Sequence, residues 1–197
     1  MGERWARSSR RCTSPTRICG SRWKRVVWQS PTTTRHRLEY ECKFSCQRVG
    51  EAKAHHDTGK LVVVGHSAGA AYAGAMLGKF PGLINSAVLV STTCDADLFY
   101  RVNSWRGAPA NESTLEYANK VPKNAQVVFI AGVNDRLTPI SLAKSCHEAF
   151  LTNGVGSSLY EVVDAAHNFD SRMYESPEFI SAMKSALTIR TNGYAGD

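Results

Sequence analysis

Hydrophobic residues in the C-terminal two thirds of the chain fall into short continuous runs separated by longer amphipathic stretches. Four of these runs are rich in β-branched residues and are predicted to be strands, at 61–64, 86–90, 126–131 and 158–163. Four amphipathic stretches are predicted to be helices, at 70–80, 115–120, 139–151 and 177–187. Alternation at this spacing indicates βαβ units. The predicted fold class is therefore α/β, with a mostly parallel sheet of about four core strands and flanking helices.

The first third of the chain lacks this pattern. Residues 1–37 contain nine arginines and one acidic residue, Glu3. In residues 38–46 the apolar positions alternate strictly, which predicts a half-exposed strand that could form a hairpin with residues 25–29. These patterns divide the chain into three parts. A basic segment that is disordered or atypical covers 1–50, an α/β domain covers 51–190, and a short tail covers 191–197.

The charge is divided in the same way. The chain of 197 residues has a formal net charge of +7. Residues 1–60 hold 14 Lys and Arg against 5 Asp and Glu, a net of +9, whereas residues 61–197 hold 10 against 12, a net of −2. The α/β domain is therefore not suited to electrostatic capture of a polyanion, and nucleic acid is not an expected partner. A basic arm that binds nucleic acid or an anionic membrane is the weaker alternative.

The start of the sequence and its cysteines bear on the cellular location of the protein and on the redox state of its thiols. No apolar stretch follows the basic start, so no secretory signal is predicted and a cytoplasmic location is expected; the Arg- and Ser-rich composition leaves an organelle transit peptide as the alternative. The chain contains no apolar run of about 18 residues, so no membrane-spanning helix is predicted. Without export, reduced thiols are expected. Cys42 and Cys46 with His55 and His56 form no compact zinc-ligand pattern, so neither a metal nor a cofactor is predicted.

The chemistry-bearing residues follow the predicted strands. Gly65-His66-Ser67-Ala68-Gly69 matches the pattern G-x-S-x-G between a β-branched strand and an Ala-rich helix. Side chains in place of Gly65 and Gly69 would collide with the adjacent strand and helix at the sharp turn that this pattern makes. The turn lifts the Ser67 hydroxyl clear of the backbone. It also places the Ala68 N–H at a helix N-terminus, where it can stabilise an oxyanion.

A serine hydroxyl needs a base, and the base needs an orienting acid. Asp135 follows the third predicted strand and His167 follows the fourth, so Ser67, Asp135 and His167 share the edge formed by the carboxyl ends of the strands. Asp164 and Asp170 are rival acids, but they lie too near His167 to come from a separate strand end. His66 is a rival base; as the neighbour of Ser67 it should point away from the hydroxyl, which indicates a packing role.

From about residue 50 to 190 the chain resembles the C-terminal part of the α/β-hydrolase superfamily. The segment 65–69 resembles the nucleophile elbow of that superfamily, 132–139 its acid loop, and Ala166-His167 its histidine loop. Segments 135–139 and 105–107 are most similar to single-domain esterases related to prolyl oligopeptidases. The resemblance implies Ser67 as nucleophile, His167 as general base and then acid, Asp135 as the orienting carboxylate and the Ala68 N–H as an oxyanion donor. It implies hydrolysis of a small carboxylic ester, or of amides or short peptides, through an acyl-enzyme.

The chain departs from that pattern upstream of the elbow. Only about 60 residues precede the elbow strand, and no motif there matches the loop that supplies the second oxyanion N–H in the superfamily. We therefore expect the N-terminal half of the fold to be missing or replaced, and one sheet edge to be exposed and available for self-association. The alternative function is a catalytically impaired remnant with an incomplete oxyanion hole. Aromatic residues between the second and third strands either line an acyl pocket or cover the helix layer: Leu98, Phe99, Tyr100 and Trp105.

Overall fold

The strands form one parallel sheet whose spatial order follows the chain order. The computed structural model describes residues 26–27, 49–51, 61–106, 113–168 and 170–188. The strands are β1 (Val26–Val27), β2 (Val62–His66), β3 (Ser86–Val90), β4 (Gln126–Gly132) and β5 (Gly156–Val162). All four neighbouring pairs are parallel, in the order β1-β2-β3-β4-β5. The predicted α/β class and parallel sheet of four core strands are confirmed.

Helices connect the strands and cover both faces of the sheet. They are α1 (Ala68–Lys79), α2 (Ala96–Val102), a 3-10 helix (Thr114–Lys120), α3 (Ile140–Thr152), α4 (Ser171–Tyr174) and α5 (Pro177–Leu187). One face of the sheet packs against α1 and α3 through side chains such as Met76, Phe129 and Phe150. The other face packs against α5, with Val128, Ile130 and Ala182 in contact. The sheet is therefore the middle layer of three, with helices packed on both of its faces.

Helix α2 was not predicted, because residues 92–113 have no clear periodicity and include Trp105, Gly107 and Pro109. Its start is nevertheless fixed by a short-range signal. The Asp95 side chain accepts a hydrogen bond from the N–H of Leu98 at 2.9 Å, which caps the first turn. The Asn103 amide donates to the carbonyls of Phe99 and Leu137, each at 2.9 Å, so the end of α2 is tied to the loop that carries Asp135.

The predicted exposed edge of β2 requires a correction. Val26 and Val27 pair in parallel with Val63 and Val64, so β1 covers the middle of that edge. The alternating segment 38–46, the proposed partner of residues 25–29 in a hairpin, lies outside the described residues. Val49 is only 5% exposed and belongs to the main core cluster. Short pieces upstream of the elbow thus contribute to the same fold as the strands that follow.

Cys94 and Cys146 form a disulfide that links the loop after β3 to α3, with a Cα–Cα distance of 6.4 Å. Both side chains are fully buried. The expectation that the thiols are reduced is wrong for this pair. An export signal bears only on the cellular compartment, whereas the pairing of these two cysteines depends on the fold, which brings together residues 52 positions apart.

Reduction of this disulfide should destabilise the domain. The bond closes a loop with a sequence separation of 52 residues, and cross-links of this kind contribute about 2–4 kcal/mol by restricting the unfolded chain. We expect the double variant Cys94→Ala/Cys146→Ala, compared with the oxidised protein, to lose stability by that amount in urea unfolding. Adding a reductant should shift the midpoint of the unmodified protein and leave that of the variant in place. An equal response of both proteins to the reductant would contradict the assignment.

Candidate active site

Three side chains meet at the edge formed by the carboxyl ends of the strands. Ser67 follows β2, Asp135 follows β4 and His167 follows β5. His167 Nε2 lies 2.9 Å from Ser67 Oγ, and His167 Nδ1 lies 2.9 Å from Asp135 Oδ2. These contacts join residues 100 and 32 positions apart in the sequence. The parallel sheet thus assembles a continuous Asp–His–Ser chain of hydrogen bonds from three loops.

Ser67 occupies a strained turn between β2 and α1. Its φ of 55° and ψ of −123° lie in a region that a residue with a Cβ rarely adopts, at a cost of about 1–3 kcal/mol. Gly65 makes the turn possible, since a Cβ there would overlap the carbonyl of Gly69 and approach the Ala70 nitrogen to 2.6 Å. The Ser67 N–H donates to the Val90 carbonyl at 2.9 Å, which anchors the turn to β3.

The turn also marks the start of α1, where backbone N–H groups lack partners within the helix. The N–H groups of Ala70 and Ala71 donate to the Ser67 carbonyl at 3.0 and 3.2 Å, as in the first turn of a helix. By helix geometry, the preceding N–H groups of Ala68 and Gly69 have no acceptor within the helix. The positive end of the dipole of α1 adds a favourable field for a developing negative charge at this point.

Asp135 is buried, 4% exposed, and almost every lone-pair direction of its carboxylate is used. Oδ1 accepts from the N–H groups of Leu137 and Thr138 at 3.0 and 2.8 Å. Oδ2 accepts from the Thr138 hydroxyl at 2.6 Å and from His167. Burial alone raises the pKa of Asp135, but the hydrogen bonds from His167 and Thr138 outweigh it and lower the pKa to about 2. The group is therefore a fixed anion near neutral pH.

This anion determines how the imidazole is oriented. With the proton on Nδ1, His167 donates to Asp135 and leaves Nε2 free to accept from the Ser67 hydroxyl. The Thr138 hydroxyl oxygen also lies 3.0 Å from Nδ1, so it helps to hold the ring in this orientation. Thr138 was not singled out from the sequence. The signal that points to it is a hydroxyl residue three positions after Asp135, the spacing of a local Asp–Thr hydrogen-bonded turn.

The loops that carry Asp135 and His167 are packed directly against each other. Gly132 is required at their contact, because a Cβ there would overlap the backbone carbonyl of Ala165. The N–H of Asn134 donates to that same carbonyl at 3.0 Å, and the Asn134 side chain donates to the Val163 carbonyl at 3.3 Å. Asp135 and His167 are therefore held in register by the backbone as well as by their own hydrogen bond.

The rival residues lie elsewhere. The Asp164 side chain is exposed, and Asp170 pairs with Arg172 at 2.9 Å rather than with His167. His66 does not contact the Ser67 hydroxyl in any hydrogen bond of the described residues; instead its ring lies 5.1 Å from that of His167 and 6.3 Å from that of Tyr174, measured between centroids. Among the named acids, Asp135 is thus the one in hydrogen-bond contact with His167.

The aromatic residues between β3 and β4 form a cluster beside the Asp135 loop. Phe99, Tyr100 and Trp105 pack edge to face, with centroid distances from 5.0 to 6.1 Å. Phe99 lies on the buried side of α2, whereas the residue Trp105, which follows α2, is 50% exposed. Phe99 therefore serves the core, as one of the two sequence interpretations held. The exposed Trp105 remains a candidate contact for substrate.

The other candidate sites fall outside this region. The cysteines and histidines considered for zinc, Cys42, Cys46, His55 and His56, lie outside the described residues. Within the part of the chain that the structure describes, no three His, Cys, Asp or Glu side chains are grouped so as to hold a metal ion. None of the helices in the described ranges has the length and apolar character needed to span a bilayer.

Comparison with solved structures decides the fold. The acylaminoacyl peptidase of Pyrococcus horikoshii superposes with a TM-score of 0.59 at 16% identity over 75% of this chain. The chain has the α/β-hydrolase fold. An esterase of Pyrococcus furiosus matches with a TM-score of 0.60 at 18% identity over 81% of this chain, and a puromycin hydrolase matches at 0.59 and 15% over 76%. The fold that the sequence resemblance implied is confirmed.

These matches concern structure rather than sequence. No family model matches the chain, and no curated protein matches it. The α/β-hydrolase region of this chain spans 27% of the acylaminoacyl peptidase, 24% of the puromycin hydrolase and 64% of the esterase. The similarity therefore shows the fold, and the chemistry must be argued from the side chains of this chain.

The ionised Asp135 should make stability fall in acid. Because its pKa is lowered from 3.8 to about 2, its contribution is complete above about pH 4 and is lost as the pH falls through about 2. The difference corresponds to about 2 kcal/mol of unfolding free energy. Urea unfolding between pH 5 and 2 should show this loss in the unmodified protein and a smaller slope in Asp135→Asn. Parallel curves for the two proteins would contradict the assignment.

Proposed function

We propose that this chain is a serine hydrolase that cleaves carboxylic esters through an acyl-enzyme. Ser67 is the nucleophile, His167 the general base and then acid, and Asp135 the carboxylate that orients His167. The single observation that carries the proposal is the unbroken hydrogen-bond chain from Asp135 Oδ2 through His167 to Ser67 Oγ, with 2.9 Å at both contacts. A strained serine beside a correctly oriented imidazole is the arrangement that acyl transfer requires.

The first half-reaction forms the acyl-enzyme. Ser67 Oγ attacks the ester carbonyl carbon while its proton passes to His167 Nε2, and the carbonyl π electrons move to oxygen. The N–H of Ala68 donates to that oxyanion, in the field of the α1 N-terminus. The imidazolium on His167 is stabilised by the ionised Asp135. When the C–O bond to the alcohol breaks, His167 returns its proton to the departing alkoxide, and the acyl group remains on Ser67.

The second half-reaction returns the enzyme to its starting state. His167 accepts a proton from water, the resulting hydroxide attacks the acyl carbonyl, and the Ala68 N–H again faces the oxyanion. Collapse of this intermediate releases the carboxylic acid, and His167 gives the proton back to Ser67 Oγ. All protons and electron pairs are accounted for by substrate, water and these side chains.

Ester cleavage is the favoured activity, with amides and short peptides as the second class of substrate. The structural neighbours include an esterase, an acylaminoacyl peptidase and a puromycin hydrolase, and these names support hydrolysis as the class of reaction. An alcohol leaves more readily than an amine, and the exposed Trp105 offers an apolar surface next to α2, whose end is tied to the loop that carries Asp135. We therefore propose small, uncharged acyl groups as substrates.

Reaction with a fluorophosphonate probe tests this proposal. The probe phosphonylates an activated serine and needs no knowledge of the natural substrate. The protein should become labelled stoichiometrically and should release p-nitrophenol from short-chain p-nitrophenyl esters, with the probe abolishing that turnover. If well-folded protein neither reacts with the probe nor turns over the esters, the alternative of a catalytically impaired remnant is the correct one.

A further inference from the structure

Asn103, at the end of α2, makes two hydrogen bonds with one amide group. Its Nδ2 donates to the carbonyl of Phe99, one turn back in α2, and to the carbonyl of Leu137 in the loop that carries Asp135, each at 2.9 Å. Only an NH₂ group can satisfy two carbonyl oxygens at once, so the orientation of the amide is determined. The first bond caps the helix. The second joins residues 34 positions apart in the sequence, and the end of a helix does not require it.

The end of α3 provides a direct comparison. Asn153 occupies the same position there, and its Nδ2 donates to the Ala149 carbonyl at 2.8 Å. Both helices close with the same two backbone hydrogen bonds, and the residue after each asparagine has a positive φ, 53° at Ser104 and 72° at Gly154. In the described structure the Asn153 side chain bonds only within its own helix. The bond to a distant loop therefore distinguishes Asn103.

The peptide group between Leu137 and Thr138 connects Asn103 to Asp135. Its carbonyl accepts from Asn103, and its N–H donates to Asp135 Oδ1 at 2.8 Å. In a trans peptide these two groups point in opposite directions, so Asn103 and Asp135 lie on opposite sides of one rigid plane. A hydrogen bond accepted by the carbonyl also polarises the N–H of the same peptide and strengthens the bond that this N–H donates. Asn103 thus acts on Asp135 through one intervening peptide group.

We propose that Asn103 is a positioning residue that fixes the Leu137–Thr138 peptide against Asp135 and thereby aligns this carboxylate for His167. The inference rests on the proposed function, since it concerns the same Asp–His–Ser chain of hydrogen bonds. The two oxygens of a carboxylate rotate together. A donor held in place at Oδ1 therefore fixes the direction of Oδ2, the atom that meets His167 Nδ1 at 2.9 Å.

The segment that carries Asn103 is anchored well enough to serve as this support. It leaves the sheet at Cys94 and returns to the same point, where the Ser113 hydroxyl donates to the Cys94 carbonyl at 3.2 Å. Cys94 is in turn cross-linked to Cys146 in α3, the helix that follows the Asp135 loop. Asn103 is therefore held from a fixed base on one side of that loop.

Three variants separate the bond to Leu137 from helix capping. Asn103→Leu keeps the branched shape and removes the donor, Asn103→Gln keeps an NH₂ group on a longer side chain, and Asn153→Leu is the matched control that removes only a helix cap. For p-nitrophenyl ester turnover we expect Asn103→Leu to lower kcat by about 3- to 10-fold with KM within about twofold, because a misaligned carboxylate slows chemistry rather than binding. Asn103→Gln should recover at least half of the loss, and Asn153→Leu should match the unmodified protein.

The backbone amide of Thr138 gives a readout that does not depend on turnover. Because its N–H donates to an ionised carboxylate, its proton should resonate downfield in ¹⁵N-labelled protein. We expect this signal to move upfield in Asn103→Leu and to exchange faster with deuterium, whereas Asn153→Leu should leave it in place. If Asn103→Leu does not fold, Asn103→Asp takes its place, since it also lacks the donor.

The positioning role is overturned by a Thr138 amide signal or a kcat that is unchanged in Asn103→Leu, or that changes equally in Asn153→Leu. A rise in KM at unchanged kcat would overturn it as well, because it would assign Asn103 to substrate binding through the nearby Trp105. If none of the proteins hydrolyses esters, the proposed function fails, whereas the Thr138 amide still decides whether Asn103 holds this peptide against Asp135.

Discussion

Ser67→Ala should abolish ester hydrolysis. The hydroxyl is the only group of Ser67 that the proposed mechanism uses, and removal of the nucleophile from such a triad lowers kcat by at least about 10⁴-fold. The fold should tolerate the change, because the backbone bonds of the elbow do not involve the hydroxyl: the Ser67 N–H donates to Val90, and the Ser67 carbonyl accepts from Ala70 and Ala71. Steady-state turnover of a p-nitrophenyl ester, with circular dichroism to verify folding, measures the effect.

Ser91→Ala is the matched control for this variant. Ser91 follows β3 as Ser67 follows β2, its φ is also positive at 46°, and its N–H donates to the carbonyl of Ile130 in the next strand. It has no place in the proposed chemistry, so its substitution should leave turnover within about threefold of the unmodified protein. If the two alanine variants lose activity equally, the loss reflects the strand-end geometry and Ser67 is not the nucleophile.

Asp135→Asn should produce the second large loss, a fall in kcat of about 10⁴-fold with KM nearly unchanged. An asparagine amide has almost the same shape, and its oxygen can still accept from the N–H groups of Leu137 and Thr138. However, its NH₂ group would donate to His167 Nδ1 and place the imidazole proton on Nε2. That tautomer cannot accept a proton from Ser67. Turnover and KM measured across a range of ester concentrations test both parts of the prediction.

The rival acids provide the controls. Asp164→Asn and Asp170→Asn remove carboxylates that lie within three residues of His167 in the sequence but do not hydrogen-bond to its ring in the described structure. We expect each to retain turnover within about threefold. A large loss in Asp164→Asn together with normal activity in Asp135→Asn would reassign the acid.

The sequence predicted the strands and the order of the candidate residues well, for a local reason. Continuous β-branched runs such as 86–90 and 126–131 indicate buried parallel strands by themselves, and the residues that follow them must share an edge of the sheet. The bounds of β3 and of α5 agree with the prediction residue by residue. The close contact expected at Gly65 has a steric cause that the structure makes explicit, whereas the close contact at Gly132 is not predicted from the sequence.

The features that the sequence did not predict depend on contacts between distant segments. The disulfide between Cys94 and Cys146 and the pairing of Val26–Val27 with β2 leave no local pattern. The role of Thr138 depends on where His167 arrives, 29 residues later. The sequence indicates a packing role for His66, because the neighbour of a nucleophile points away from it, but it gives no sign that the ring lies 5.1 Å from that of His167, measured between centroids.

The identity of the residue that carries the covalent intermediate tests the central claim most directly. The protein is reacted with a fluorophosphonate, digested, and the modified peptide is sequenced by tandem mass spectrometry. The account predicts one phosphonyl group per chain, located on Ser67 within the peptide that contains Gly65-His66-Ser67-Ala68-Gly69. Labelling of a different residue, or persistent labelling in Ser67→Ala, would contradict it.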